Sequence, residues 1–308
     1  MKSEPPYSIG KPNQKWGHAE RQQWLDQQSV KRSYEHQVLE PVLALENQFD
    51  IEQYSALSYD TKRYPLFAIK SKEVCANKPT ALITGGVHGY ETSGVQGAIR
   101  FVETQMESYS DHFNIIVTPC ISPWGYETIN RWNPNAVDPN RSFTHGSTAE
   151  ESAALMEYVT SLTSSIDIHI DLHETTDTDN TEFRPALSAR DNEYHEFWEI
   201  PDGFYLVGDT ENPCDEFQAH IIKAVSNVTH IAPTDAQGRI IGKLASQLGV
   251  INYPTQSLGL CTGFSNASYS TTTEVYPDSP QVDAENCILA QVTAICSGLE
   301  FVKKRTLD

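Results

Sequence analysis

The sequence predicts an α/β fold, with a mainly parallel sheet covered by helices on both faces. Three observations carry this expectation. From residue 80 onward, short apolar runs of strand length alternate with stretches of helical periodicity. Strands separated by helices of about 10 to 15 residues favour parallel pairing with crossover helices. The chain has 308 residues, and a chain of roughly 300 residues hides about 75% of its unfolded surface, enough for a large core.

The elements follow in order. The first 35 or so residues are polar, and a helix is expected around Ala19 to Val30. Phe49 to Ile69 partly alternates between apolar and polar residues, with Tyr59-Asp60-Thr61-Lys62 placed for a turn, and reads as a β-hairpin. Residues 1–70 are therefore expected to form an N-terminal extension packed on a main region of residues 71–308, all within one domain. Thr80 to Thr84 is too short for a helix and runs into Gly85-Gly86, so it reads as a strand. Thr92 to Met106 carries Val95, Ala98, Ile99 and Val102 at helical spacing. Phe113 to Val117, Ile166 to Leu172, Phe204 to Val207 and Thr271 to Val275 read as further strands. Helices are expected over Thr148 to Leu162, Glu216 to Val228 and Val282 to Val302, the first with a capping box of Thr148 and Glu151.

Composition excludes several classes of partner. The formal charge is −19, from 22 basic and 41 acidic residues. Such a surface repels nucleic acid phosphates and anionic lipid, and an anionic substrate needs local basic groups to overcome it. Met1 to Gly10 has no apolar core of a secretory signal, and no apolar run approaches the roughly 18 residues of a membrane span. The cysteines Cys75, Cys120, Cys214, Cys261, Cys287 and Cys296 are scattered without a C-x-x-C pair, so free thiols and a cytoplasmic location are expected.

Four motifs carry chemistry. His88 and Glu91 form an H-x-x-E directly after the Thr80 to Thr84 strand, where glycines let the backbone turn. Imidazole and carboxylate are normal zinc ligands, and a catalytic site takes three protein ligands and leaves the fourth position to water. His173 closes the run Ile166 to Asp177 and is the third candidate. His169 lies deeper on the same strand face; it reads as a core histidine, with a second metal site shared with Asp171 as the alternative. Asp138 could take the outer N–H of His88, as carboxylates behind zinc histidines do. Arg141 offers a fork for a substrate carboxylate with Asn140 as a second donor, and Arg131 is placed to stabilise an oxyanion. Glu274, flanked by apolar residues in Ser270 to Pro277, is a candidate proton acceptor, because glutamate is rarely buried without a partner or a task.

The ordered set His88/Glu91, Asp138-Pro139-Asn140-Arg141-Ser142-Phe143, Asp171-Leu172-His173 and Glu274 resembles the zinc carboxypeptidase superfamily, which includes the carboxypeptidase A-like enzymes and the succinylglutamate desuccinylase/aspartoacylase branch. The resemblance spans residues 80 to 277. It implies a zinc-exopeptidase-like α/β/α fold with an eight-stranded mixed sheet and one zinc ion. It also implies Glu274 as general base and acid, Arg131 as oxyanion stabiliser, and Asn140 with Arg141 as carboxylate anchor. Pro139 replaces the family's usual leucine. The run Asp171 to Thr176 is similar to the aspartoacylase-like branch, although no obvious extra domain follows Glu274. Tyr253 fits the substrate-capping tyrosine of the carboxypeptidases, with Tyr269 as competitor.

The expected reaction is hydrolysis of a C-terminal peptide bond next to a free carboxylate. N-acyl-amino-acid deacylation is the alternative, favoured by a small closed pocket where peptides favour an open funnel. A two-metal aminopeptidase and a non-catalytic binding protein of the same fold are the remoter rivals. The partner is a peptide or N-acyl amino acid, and neither nucleic acid nor membrane is expected.

Overall fold

An antiparallel hairpin opens the sheet, β1 (Asp50–Ala56) against β2 (Pro65–Lys70). In this computed structural model, which describes residues 7–306, the hairpin is no appendage. β2 pairs antiparallel with β4 (Asn114–Thr118), and β4 lies parallel to β3 (Thr80–Gly85). β3 then pairs with β5 (Ile168–Glu174), and β5 with the late strand Tyr269–Val275, both in parallel. Beyond it the sheet continues through β6 (Tyr205–Asp209), antiparallel, to Val250–Tyr253 at the edge. Counting the small hairpin of β7 (Arg239–Ile240) and β8 (Lys243–Leu244), these two strands are β9 (Val250–Tyr253) and β10 (Tyr269–Val275). The eight-stranded sheet runs β1-β2-β4-β3-β5-β10-β6-β9.

Strands β3, β4 and β5 are buried at every position, which is why they read as apolar runs rather than as half-polar alternation. Their alternation is between two covered faces. Ile83, Ile170 and Leu172 join one apolar cluster with Val95 and Val102 of helix Thr92–Thr104, Phe217 of helix Asp215–Val225 and Ile295 of helix Ala284–Thr306. Leu82 and Ile116 pack on the opposite face with Leu155 and Val159 of helix Glu150–Leu162. That makes the three layers.

Each expected strand and helix of the core is present, with ends displaced by at most four residues. The N-terminal helix is shorter, His18–Leu25. The expected capping box is absent. The helix begins at Glu150 behind Ala149 with no side-chain cap, and Glu151 instead points inward to accept from Asn133 Nδ2 at 3.3 Å. Strand β9 and the helices Pro123–Thr128, Arg184–Asp191 and Cys261–Ser265 were not expected; all are short.

Glu151 has a measurable consequence. It is fully buried, Oε1 has no hydrogen-bond partner, and burial pushes its carboxyl up from 4.5 to about 7. The folded state thus favours the neutral acid. Its contribution to stability is complete below the unfolded value of 4.5 and is lost as pH rises through about 7. Glu151→Gln cannot ionise, so it should exceed the wild type in stability by about 3 kcal/mol at pH 8 and approach it near pH 4.5. Urea denaturation at both pH values checks this; an equal difference at both would refute it.

Candidate metal centre and substrate cavity

Strands β3, β5 and β10 are parallel neighbours, so their carboxyl ends lie side by side, where ligands bind in open α/β sheets. The chain leaves β3 through Gly86, at φ +60°, a left-handed conformation that glycine adopts at little cost. Gly89 is held against the backbone of Ser122, Gly125 and Tyr126 so closely that an added Cβ would lie 2.1 Å from Tyr126 N. The loop that carries His88 is therefore pressed onto helix Pro123–Thr128. Glu91 stands immediately before helix Thr92–Thr104 and leaves the capping to Glu174, whose Oε1 accepts the Ser93 N–H at 2.6 Å.

This construction brings His88, Glu91 and His173 together, all buried, with one donor atom from each within 4.8 Å of the others. Glu91 Oε1 lies 2.8 Å from His88 Nδ1, and Oε2 lies 2.7 Å from His173 Nδ1. Oε2 is buried and makes no hydrogen bond of acceptable geometry, despite that short distance. Both outer nitrogens are occupied by carboxylates: His88 Nε2 by Asp138 Oδ1 at 2.9 Å, His173 Nε2 by Asp171 Oδ2 at 2.7 Å. Protons on Nε2 leave both Nδ1 lone pairs aimed at the Glu91 carboxylate, with an orphaned oxygen among them. Two imidazoles and one carboxylate, each imidazole backed by a carboxylate, suit a zinc ion with an open fourth position. Without a metal ion, protons on the imidazoles take its place: burial opposes ionisation of Glu91, yet His173 and His88 as imidazolium cations hold its pKa down to about 2.

Glu274 pairs with His173 in the parallel register of β10 and β5. Its Oε2 accepts from Thr175 Oγ1 at 2.9 Å, and Thr175 Oγ1 is 2.6 Å from Tyr205 Oη. Burial pushes the Glu274 carboxyl up to about 8; His173 opposes the shift and Glu91 adds to it.

The loop after β4 supplies the rest. Asp138 Oδ1 also caps the turn Pro139–Arg141 by accepting the Asn140 N–H at 2.9 Å, and Pro139 suits the first position of that turn. Asp138 Oδ2 takes Arg131 Nε at 3.1 Å, and Arg131 Nη1 reaches Asp179 Oδ1 at 3.2 Å. Burial would raise the Asp138 pKa, but Arg131 and His88 hold it well below the ordinary range. The Asn140 side chain accepts from the Cys261 N–H at 2.8 Å and brings Nδ2 to 3.4 Å from His173 Nε2. Arg141 donates to the Asn140 carbonyl at 2.7 Å and makes no ion pair among the described residues.

A cavity of about 820 Å³ joins these groups, with His88, Glu91, His173, Glu274, Arg131 and Arg141 on its wall. Asn140 and Tyr253 also line it, and burial pushes the Tyr253 hydroxyl up to about 12. Tyr269 does not. It begins β10 opposite Ile168, at the far end of the sheet, and packs on Phe217 and Phe301. Asp179 and Arg184 are among the wall residues that escaped the sequence reading. Asp179 pairs with Arg131, and Arg184 stacks on Trp198 at 3.5 Å with its buried Nε unpartnered. Neither lies in a recognisable motif. His169 is not among the clustered donors; it hydrogen-bonds within the core.

The likeness to known proteins follows the same geometry. Residues 77–206 match the model of the succinylglutamate desuccinylase/aspartoacylase catalytic domain. A search of curated proteins gives no match. Among solved structures, a candidate metallopeptidase from Shewanella amazonensis SB2B is 20% identical, with a TM-score of 0.67 over 89% of this chain and 98% of its own. A metallo-carboxypeptidase from Burkholderia cenocepacia is 14% identical, with a TM-score of 0.59 over 87% and 68%. Bovine thrombin-activatable fibrinolysis inhibitor, solved with a tick carboxypeptidase inhibitor, is 13% identical, with a TM-score of 0.57 over 95% and 98%. The chain therefore shares the α/β fold of these metallopeptidase structures, and its residues 77–206 are similar to the succinylglutamate desuccinylase/aspartoacylase catalytic domain.

Proposed function

We propose that the protein is a zinc-dependent metallocarboxypeptidase that hydrolyses the peptide bond next to a free C-terminal carboxylate. The observation that carries this reading is one cavity holding the His88–Glu91–His173 group, a buried glutamate beside it and an arginine without an ion pair. In a chain of charge −19, a cation left without a carboxylate partner at a cavity wall suits an anionic group of the substrate. The volume favours a peptide over the small closed pocket of a deacylase, since about 820 Å³ is towards the upper end of ligand cavities.

His88, Glu91 and His173 would hold the zinc ion, which would supply Lewis acidity towards the scissile carbonyl and the attacking water. The protein's own groups do the remainder. Glu274 takes the proton of the attacking water on its carboxylate and returns it to the leaving amine, held for the transfer by Thr175. Arg131 presents positive charge towards the developing oxyanion while fixing Asp138 behind His88. Arg141, with Asn140 beside it, fixes the terminal carboxylate, and Tyr253 closes over the bound residue. The proposed setting is the cytoplasm; among the described residues no helix is long and apolar enough to cross a membrane.

The test is a panel of C-terminally free, C-terminally amidated and N-acylated substrates, run with and without chelator. Turnover should be confined to free carboxylates and abolished by the chelator. Faster hydrolysis of N-acyl amino acids than of peptides would select the deacylase instead. In the same assay Arg141→Ala should raise KM for free-carboxylate substrates by roughly 10- to 100-fold with a smaller change in kcat, as loss of a charged hydrogen-bond donor implies. An unchanged KM would remove the anchor.

A further inference from the structure

His173 and His88 are held by different devices. Behind His88 stands a charged network at the cavity wall, Asp138 with Arg131. Behind His173 the support runs inward, into the sheet. The parallel register of β3 and β5 sets Leu82 beside His169 and Thr84 beside Asp171. Period-two alternation puts Thr84, His169, Asp171 and His173 on one face. Helix Cys261–Ser265 covers that face, and Thr84, His169, Asp171, His173 and Cys261 are all buried.

The contacts form an unbroken chain. Ser265 Oγ is 2.9 Å from His169 Nδ1, and His169 Nε2 is 3.1 Å from Thr84 Oγ1. Thr84 Oγ1 is 2.5 Å from Asp171 Oδ1, and Asp171 Oδ2 is 2.7 Å from His173 Nε2. Cys261 Sγ sits 3.6 Å from Thr84 Oγ1. A threonine hydroxyl has one proton and two lone pairs. A carboxylate only accepts, so the Thr84 proton goes to Asp171. With the Ser265 hydroxyl turned to His169 Nδ1 and away from the Thr262 carbonyl 3.0 Å from it, the lone pairs of Thr84 accept from His169 Nε2–H and from the Cys261 thiol. That assignment supplies one proton to each contact along the chain from Ser265 to His173. Burial holds His169 neutral, with its pKa down at about 4 against the opposing pull of Asp171. Both Asp171 oxygens are fixed by this chain, and with them the proton on His173 Nε2 and the direction of its Nδ1 lone pair.

We propose that Thr84 and His169 are positioning residues for the metal ligand His173, acting through Asp171 as a buried hydrogen-bond relay that sets zinc affinity. The inference rests on His88, Glu91 and His173 being the metal centre. It gives His169 a task that is neither plain packing nor ligation of a second ion.

Zinc affinity, read by competition with a chromogenic chelator, tests the relay without recourse to turnover. Thr84→Val keeps shape and strand propensity but removes the donor to Asp171. It should weaken zinc binding roughly 10-fold, the lower end of losses seen when a carboxylate behind a zinc histidine is disturbed. Thr84→Ser should restore affinity to within about threefold, a split that packing alone would not give. The His173 Nε2–H proton resonance of the zinc-loaded protein should shift in Thr84→Val and return in Thr84→Ser. Wild-type affinity in Thr84→Val overturns the relay. Should that variant fail to fold, His169→Gln and His169→Leu carry the test: only the leucine variant should bind zinc more weakly, and equal affinities overturn the proposal. If the wild-type protein takes up no zinc, the metal centre falls and the relay with it; if it takes up one equivalent and Thr84→Val binds equally well, the relay alone falls.

Discussion

Glu274→Gln should bind one equivalent of zinc as the wild type does and lose activity by about 10²- to 10⁴-fold in kcat/KM, the usual contribution of a positioned acid–base group. That corresponds to about 3 to 5 kcal/mol of transition-state stabilisation. The amide keeps the shape of the carboxylate and can still accept from Thr175 Oγ1, so the fold around β5 and β10 should be undisturbed. The informative pairing is metal content beside turnover. A variant with full zinc and near wild-type turnover would remove Glu274 from the chemistry, and loss of zinc would make it a structural support for the centre instead.

The second large effect belongs to the ligands. His173→Ala should reduce zinc content from one equivalent to nearly none after dialysis, and with it abolish turnover. It should also destabilise the metal-free protein by roughly 3 kcal/mol, because Asp171 and Glu91 each lose a buried partner at 2.7 Å. Elemental analysis and urea denaturation of the metal-free forms separate the two effects. Retention of a full equivalent of zinc would show that the ion is held elsewhere.

Much of this candidate site was legible because its metal-donor residue types stand at strand ends, where ligands bind in α/β sheets. His88 and His173 stand at the ends of runs that read as strands, Glu274 near the end of the β-branched run Thr271 to Val275, and a parallel sheet brings such ends together whatever their separation in sequence. Asp138 was readable because a zinc histidine needs a carboxylate behind it. What stayed hidden depends on packing between elements that no local pattern links. The orientation of Glu274 rests on Thr175 and Tyr205, the latter on a strand running the other way. Arg184 and Asp179 reach the cavity from a stretch of short helices after β5, where nothing fixes side-chain direction in advance. Tyr253 and Tyr269 looked alike as sequence because spacing to Glu274 carries no information about which end of a strand a residue occupies; the register of β10 separates them. The capping box at Thr148 and Glu151 failed for a related reason. A pattern that satisfies a helix end in isolation was overridden by an inward glutamate contacting Asn133.

The central pairing of β3, β5 and β10 has a kinetic consequence. The donors arrive from stretches of chain that meet only when the most non-local contacts of the sheet have formed, and such contacts are slow to close during folding. A partly folded chain therefore holds no complete set of ligands. On the proposed reading, uptake of the ion would act as a late checkpoint on assembly, and free zinc, drawing on the native population alone, would shift the whole folding equilibrium and not just the local order of one loop.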